Sequence, residues 1–171
     1  FDIETASRPE TVAASRDGDI WYTAMGDDSV GIISGIANDL PNRIDFGHGA
    51  APYGVMLSPD ESRVYVTLYG LGAVAMIDAA TREVIAIEPV GPTPRAMAMD
   101  GFGESLYVTR FISPETHGVV WELAPDTLAL RREIKLHPQT DPTLDNGSEG
   151  RGLPNYLASI TLSPDNREAW V

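Results

Sequence analysis

An all-β fold, built as a β-propeller of four-stranded blades, is what three observations in this sequence predict. A unit of apolar strand, Asp-containing turn and Tyr-Val-Thr strand recurs along the chain. The turns at Ser15, Ser58 and Asp100 stand 43 and 42 residues apart, a period of repeat architectures with one four-stranded unit per repeat. No segment carries a 3.6-residue apolar stripe of the kind a surface helix needs. An all-β sandwich is the alternative, but it does not require the same order of proline, turn and strand each time.

The clearest copy is Ser58-Pro59-Asp60-Glu61-Ser62-Arg63-Val64-Tyr65-Val66-Thr67. Pro59 presets φ for a turn corner, and Ser58 and Asp60 can bond nearby backbone groups. The β-branched and aromatic run after them suits a pleated, half-buried surface. Phe1–Glu4 alternates like a short strand. Thr11–Thr23 is then the first copy, with Ser15-Arg16-Asp17-Gly18 as its turn. Pro94–Thr109 is the third, and Leu153–Val171 the fourth, delayed by an insertion. Two further strands follow the second and third copies, 73–78 with 83–87 and 118–123 with 128–136. The expected blades are 8–47, 51–90, 93–136 and an incomplete 153–171, with the insertion at 137–152. Such a single domain of about three and a half blades is expected to be part of a six- to eight-bladed ring, because a propeller removes its exposed edges by closing.

Composition narrows the function classes. Twelve Lys and Arg against 25 Asp and Glu leave a formal charge of −13, which repels phosphate backbones and argues against nucleic acid as a partner. The absence of cysteine excludes disulfides, thiolate metal sites, a thiol nucleophile and covalent c-type haem attachment within these residues. No run approaches the roughly 18 apolar residues of a transmembrane helix. Nor is there a Gly-x-Ser-x-Gly elbow, a phosphate loop or a His-Glu-x-x-His motif.

Tyr65-Val66-Thr67 and Tyr107-Val108-Thr109, each after a Pro-led apolar strand and an Asp-containing turn, resemble the YVTN-type propeller repeat. The Asn position departs from that pattern, being Leu68 and Arg110. The resemblance implies a propeller and leaves function open among surface proteins, lactonase-like enzymes and modules of redox proteins. The segment Arg151–Val171 is also similar to propeller parts of secreted bacterial proteins that carry c-type haem. With no Cys-x-x-Cys-His in this chain, any haem would sit on another part of the protein.

Strand order places the Ser-Pro-Asp turns on one face, with Asp17, Asp60, Asp100 and Asp165 as turn-formers. The irregular loops gather on the other, upper face, where binding groups on a rigid scaffold are usually displayed. There Arg95, Arg151, Tyr53, Asn155 and His48 are the candidate ligand-binding residues. Arg95 follows a blade-linking proline, Tyr53 and Asn155 are expected at its equivalent positions, and Arg presents a planar donor fork to a carboxylate or sugar acid. The same side chains could instead tie adjacent blades through loop carbonyls. Asp141, Asp145 and Glu149 in the insertion form an oxygen-rich candidate for calcium, without EF-hand spacing.

The expectation is a mainly non-catalytic, extracytoplasmic scaffold, periplasmic or at the surface of a bacterium or archaeon. It would dock a protein partner, a neighbouring domain or a small acidic ligand, as a candidate module of a redox protein. A lactonase-like hydrolase using Arg95 and Arg151 with His48 or Glu115 as base is one alternative, and a surface adhesion or layer protein another.

Overall fold

The computed structural model describes residues 6–34, 42–138 and 152–171. Phe1–Glu4, expected as a strand, lies outside them. Fourteen strands are described: β1 (Pro9–Ala14), β2 (Ile20–Ala24), β3 (Ser29–Ile33), β4 (Arg43–Asp45), β5 (Pro52–Leu57), β6 (Arg63–Leu68), β7 (Ala73–Asp78), β8 (Val84–Pro89), β9 (Pro94–Met99), β10 (Leu106–Arg110), β11 (Gly118–Leu123), β12 (Leu130–Leu136), β13 (Thr161–Leu162) and β14 (Ala169–Trp170). They form three four-stranded antiparallel sheets, each in simple sequential order, and a two-stranded sheet from the last pair. The first strands of neighbouring sheets face each other, β1 against β5, β5 against β9 and β9 against β13. This is the blade stacking of a propeller.

The middle strands explain the continuous apolar runs. Side chains alternate across a strand, and in β6 both faces are covered. Val64, Val66 and Leu68 join Trp21, Val30, Ile32 and Ile44 in the core between the first two blades. Tyr65 points the other way, into a core with Val108, Val119, Trp121 and Leu123 of the third. β7 repeats the division, with Ala73, Ala75 and Ile77 on one side and Val74 and Met76 on the other. Each blade therefore exists as part of a stack, because neither face of its middle strands is suited to water.

The turns behave as their residues dictate. Ser58 N–H donates to Arg63 O (2.9 Å), closing the bend, and the Ser58 hydroxyl donates to Asp60 Oδ1 (2.6 Å). Asp60 Oδ1 also accepts from Ser62 N–H (3.1 Å). The same Ser-to-Asp contact recurs at Ser15–Asp17 and, at 2.6 Å, at Ser163–Asp165. These turns meet on one face: Arg16 N–H reaches Glu61 Oε2 (3.0 Å), and Gly101 N–H reaches Asn166 Oδ1 (3.2 Å). On that face Arg82, buried, bonds Asp19 Oδ2 (2.7 Å) and ties the second blade to the first.

Candidate functional site

The upper face starts from a backbone device that repeats in three blades. Arg8, Ala51 and Thr93, each immediately before the proline that opens a blade, have φ of 52°, 47° and 56°. Their carbonyls accept from the N–H of Met25 (2.9 Å), Tyr69 (3.1 Å) and Phe111 (2.9 Å), the residue two beyond the conserved-pattern threonine of each blade. At this address Tyr69 stands beside Pro92 and Thr93, and Phe111 beside Tyr156, at the entries of the following blades.

The threonines themselves lock the entries in place. The Thr23, Thr67 and Thr109 hydroxyls, all fully buried, donate across the blade seam to Tyr53 O (2.7 Å), Arg95 O (2.8 Å) and Leu157 O (2.9 Å). Thr67 Oγ1 in turn accepts from Gly54 N–H (2.7 Å). A Cβ on Gly54 would stand 2.5 Å from Arg95 O, so only glycine permits this approach.

At the seam between the second and third blades these devices assemble one cluster. The Arg95 guanidinium carbon lies 4.1 Å from the Tyr53 ring centroid and 3.8 Å from that of Phe111. Arg95 Nη2 donates to the Tyr53 hydroxyl at 2.5 Å. The Phe111 ring touches Tyr156 edge-on, with centroids 5.2 Å apart, and Tyr69 at 6.4 Å. The buried Arg95 Nε–H has no acceptor among the described residues. No carboxylate among them pairs with this guanidinium. An arginine against two rings, with a donor unfilled and no carboxylate on it among the described residues, has the donors with which an anion could be held.

Of the residues expected from sequence, Tyr53 and Arg95 therefore meet in one cluster. His48 does not join it: its side chain is fully exposed, with Nδ1 3.7 Å from Asp28 Oδ2. Asp28 accepts from Gly49 N–H (2.9 Å) and Ala51 N–H (2.8 Å), and these bonds hold its carboxyl below the usual carboxylate range. Glu115 is exposed. Arg151, Asp141, Asp145 and Glu149 lie outside the described residues, and among the described ones no cluster of three metal-ligating side chains occurs.

Asn155 departs from its expected place. In three blades the opening proline stands six residues before the turn residue, at Pro9, Pro52 and Pro94; in the fourth, Leu157 holds that position relative to Ser163 and Pro154 lies three residues earlier. Tyr156 is accordingly the fourth blade's left-handed residue, with φ of 55°, matching Arg8, Ala51 and Thr93. Asn155 serves as a tie: its Oδ1 accepts from Ser113 N–H (2.8 Å) and Tyr156 N–H (2.9 Å). Sequence reading missed Phe111, Tyr69 and Tyr156. Aligning the residue two beyond each strand threonine would have found the first two.

No family model and no curated protein matches the chain. Solved structures do. The chain is similar to hydrazine synthase of Kuenenia stuttgartiensis, with a TM-score of 0.70 and 19% identity over 94% of this chain and 42% of that one. A 6-phosphogluconolactonase candidate from Bacteroides uniformis gives 0.67 and 14% over 94% and 46%. A virginiamycin B lyase of Staphylococcus aureus, solved with quinupristin, gives 0.58 and 14% over 82% and 44%. The chain spans less than half the length of each of these proteins. At such identities the likeness speaks for fold alone, and together with the four-stranded antiparallel sheets it makes this chain a β-propeller.

Proposed function

We propose that this propeller is an extracytoplasmic binding scaffold whose upper face holds a carboxylate, from a small organic acid or a partner's acidic side chain, at Arg95. The supporting observation is the guanidinium itself. It lies against the Tyr53 and Phe111 rings, and among the described residues its Nε–H finds no acceptor and no carboxylate neutralises it, in a chain of charge −13. Half-burying that cation costs free energy that a bound anion would offset. A titration of the full-length protein with acetate, D-gluconate and citrate tests this. Saturable binding that weakens as salt rises and is lost in Arg95→Gln supports it; binding of equal strength in Arg95→Gln overturns it.

A second reading, a lactonase-like hydrolase, draws on the likeness to the Bacteroides uniformis protein and on the same Arg95. It needs a base near the guanidinium, and His48 stands exposed beside Asp28 instead. A screen with simple lactones decides between the two. Hydrolysis that disappears in Arg95→Ala would favour the enzyme, and a chain inactive on every lactone would leave the scaffold.

A further inference from the structure

Linked to the Arg95 cation through Phe111 is a second element that a bare carboxylate site does not need: a solvent-facing aromatic ring held in a fixed place. Tyr156 is 63% exposed, yet its position is braced from two directions. Its ring meets Phe111 edge-on at 5.2 Å, and Phe111 is the residue stacked on Arg95 at 3.8 Å. Its backbone is fixed by the left-handed turn at φ 55° and by Asn155 Oδ1, which accepts from Tyr156 N–H (2.9 Å) and Ser113 N–H (2.8 Å). Ser113 Oγ donates to Pro154 O (2.7 Å), so the loop after β10 and the entry to the fourth blade are stitched together. An exposed tyrosine positioned in this way is a pre-organised platform, because its ring gives contact area without an ordering cost at binding.

We infer that the Arg95 site takes a ring-bearing carboxylate, the acid group on the guanidinium and the ring of the ligand against Tyr156. This rests on the reading of Arg95 as an anion site. An aryl acid offers a π-face to the tyrosine and a sugar acid offers its C–H face. The shared chemistry is a six-membered ring that carries a carboxylate and offers one broad face, which acetate lacks.

The test measures affinities of the full-length protein for benzoate, glucuronate and acetate in the wild type, Tyr156→Gly and Tyr156→Phe. Glycine suits the positive φ, so Tyr156→Gly removes the ring and keeps the backbone. One aromatic contact corresponds to a roughly three- to tenfold gain in affinity. At least one ring acid should therefore bind that much more tightly than acetate, the advantage vanishing in Tyr156→Gly and persisting in Tyr156→Phe, with acetate affinity unchanged throughout. Ring acids no tighter than acetate in the wild type, or an advantage retained in Tyr156→Gly, would overturn the platform while leaving Arg95 as an anion site. Absence of binding by all three acids would overturn both readings.

Discussion

Replacing Thr67 by valine should open the seam between the second and third blades, because the two side chains share a shape and differ in one hydroxyl. That hydroxyl is fully buried, donates to Arg95 O at 2.8 Å and accepts from Gly54 N–H at 2.7 Å. Valine fills the space and leaves a backbone donor and a backbone acceptor facing a methyl group. Each unmade bond of this kind costs about 1–3 kcal/mol, and relaxation of the seam recovers part of it, so a loss of roughly 2–4 kcal/mol is expected. For a domain of this size that lowers Tm by on the order of 5–15 °C. Thr67→Ser is the control: it keeps both bonds and gives up one methyl, about 0.8 kcal/mol. Calorimetric melting of the three proteins, with urea midpoints at 25 °C as a second measure, separates the cases. If Thr67→Val melts no lower than Thr67→Ser, the cross-seam bond does not hold the blades, and the same role falls away for Thr23 and Thr109. Because Arg95 is the acceptor residue, Thr67→Val should also weaken anion binding without touching the guanidinium.

Two further perturbations read other contacts. The Ser58 hydroxyl, followed by the Ser62 backbone and hydroxyl, lowers the Asp60 pKa to about 2, below the roughly 3.9 of an unfolded aspartate. A depressed pKa adds stability above the unfolded value that disappears as pH falls from about 4 to about 2. Asp60→Asn should therefore be less stable than wild type at pH 6 and converge with it near pH 2, as read from urea midpoints against pH; parallel curves would refute the assignment. On the same face, Arg82 joins the second blade to Asp19 and Ser34 of the first. Arg82→Met should cost about 2–3 kcal/mol, reduced from the fully buried case because Asp19 keeps some water contact, and Arg82→Met with Asp19→Asn should recover part of it. A double variant less stable than Arg82→Met alone would show that the charge pair is not what joins the blades.

How far the molecule could be read from its residues depended on whether a feature repeats within one blade or is made between two. The apolar run Val64-Tyr65-Val66 announces a strand buried on both sides, and Ser58 with Asp60 announces the turn, since both are local preferences. The threonine of Tyr-Val-Thr was legible only as a strand-former. Its hydroxyl acts on the carbonyl of the following blade, a partner that has no fixed offset in sequence: 30 residues on from Thr23, 28 from Thr67 and 48 from Thr109. Asn155 was misplaced for a related reason. Pro154 looks like the blade-opening proline, but the conserved quantity is the distance back from the turn, which the packing of the innermost strand sets.

The same geometry says where specificity can reside. The position two beyond each strand threonine makes the same backbone bond in three blades, yet carries Met25, Tyr69 and Phe111 in turn. The position after the blade-opening proline carries Glu10, Tyr53 and Arg95. A propeller thus supplies a ring of equivalent addresses whose side chains are free to differ without disturbing the blades. Among the described residues, only at the seam of the second and third blades do the two sets bring a cation against aromatic rings. The scaffold therefore predicts an asymmetric effect of substitution. Exchanging Phe111 for the methionine of the first blade, Phe111→Met, keeps an apolar side chain over Arg95 and should shift Tm little. It removes both the stacking face and the edge contact to Tyr156, and anion affinity should fall several-fold. A large fall in Tm with unchanged affinity would mean that Phe111 belongs to the blade seam rather than to a binding site.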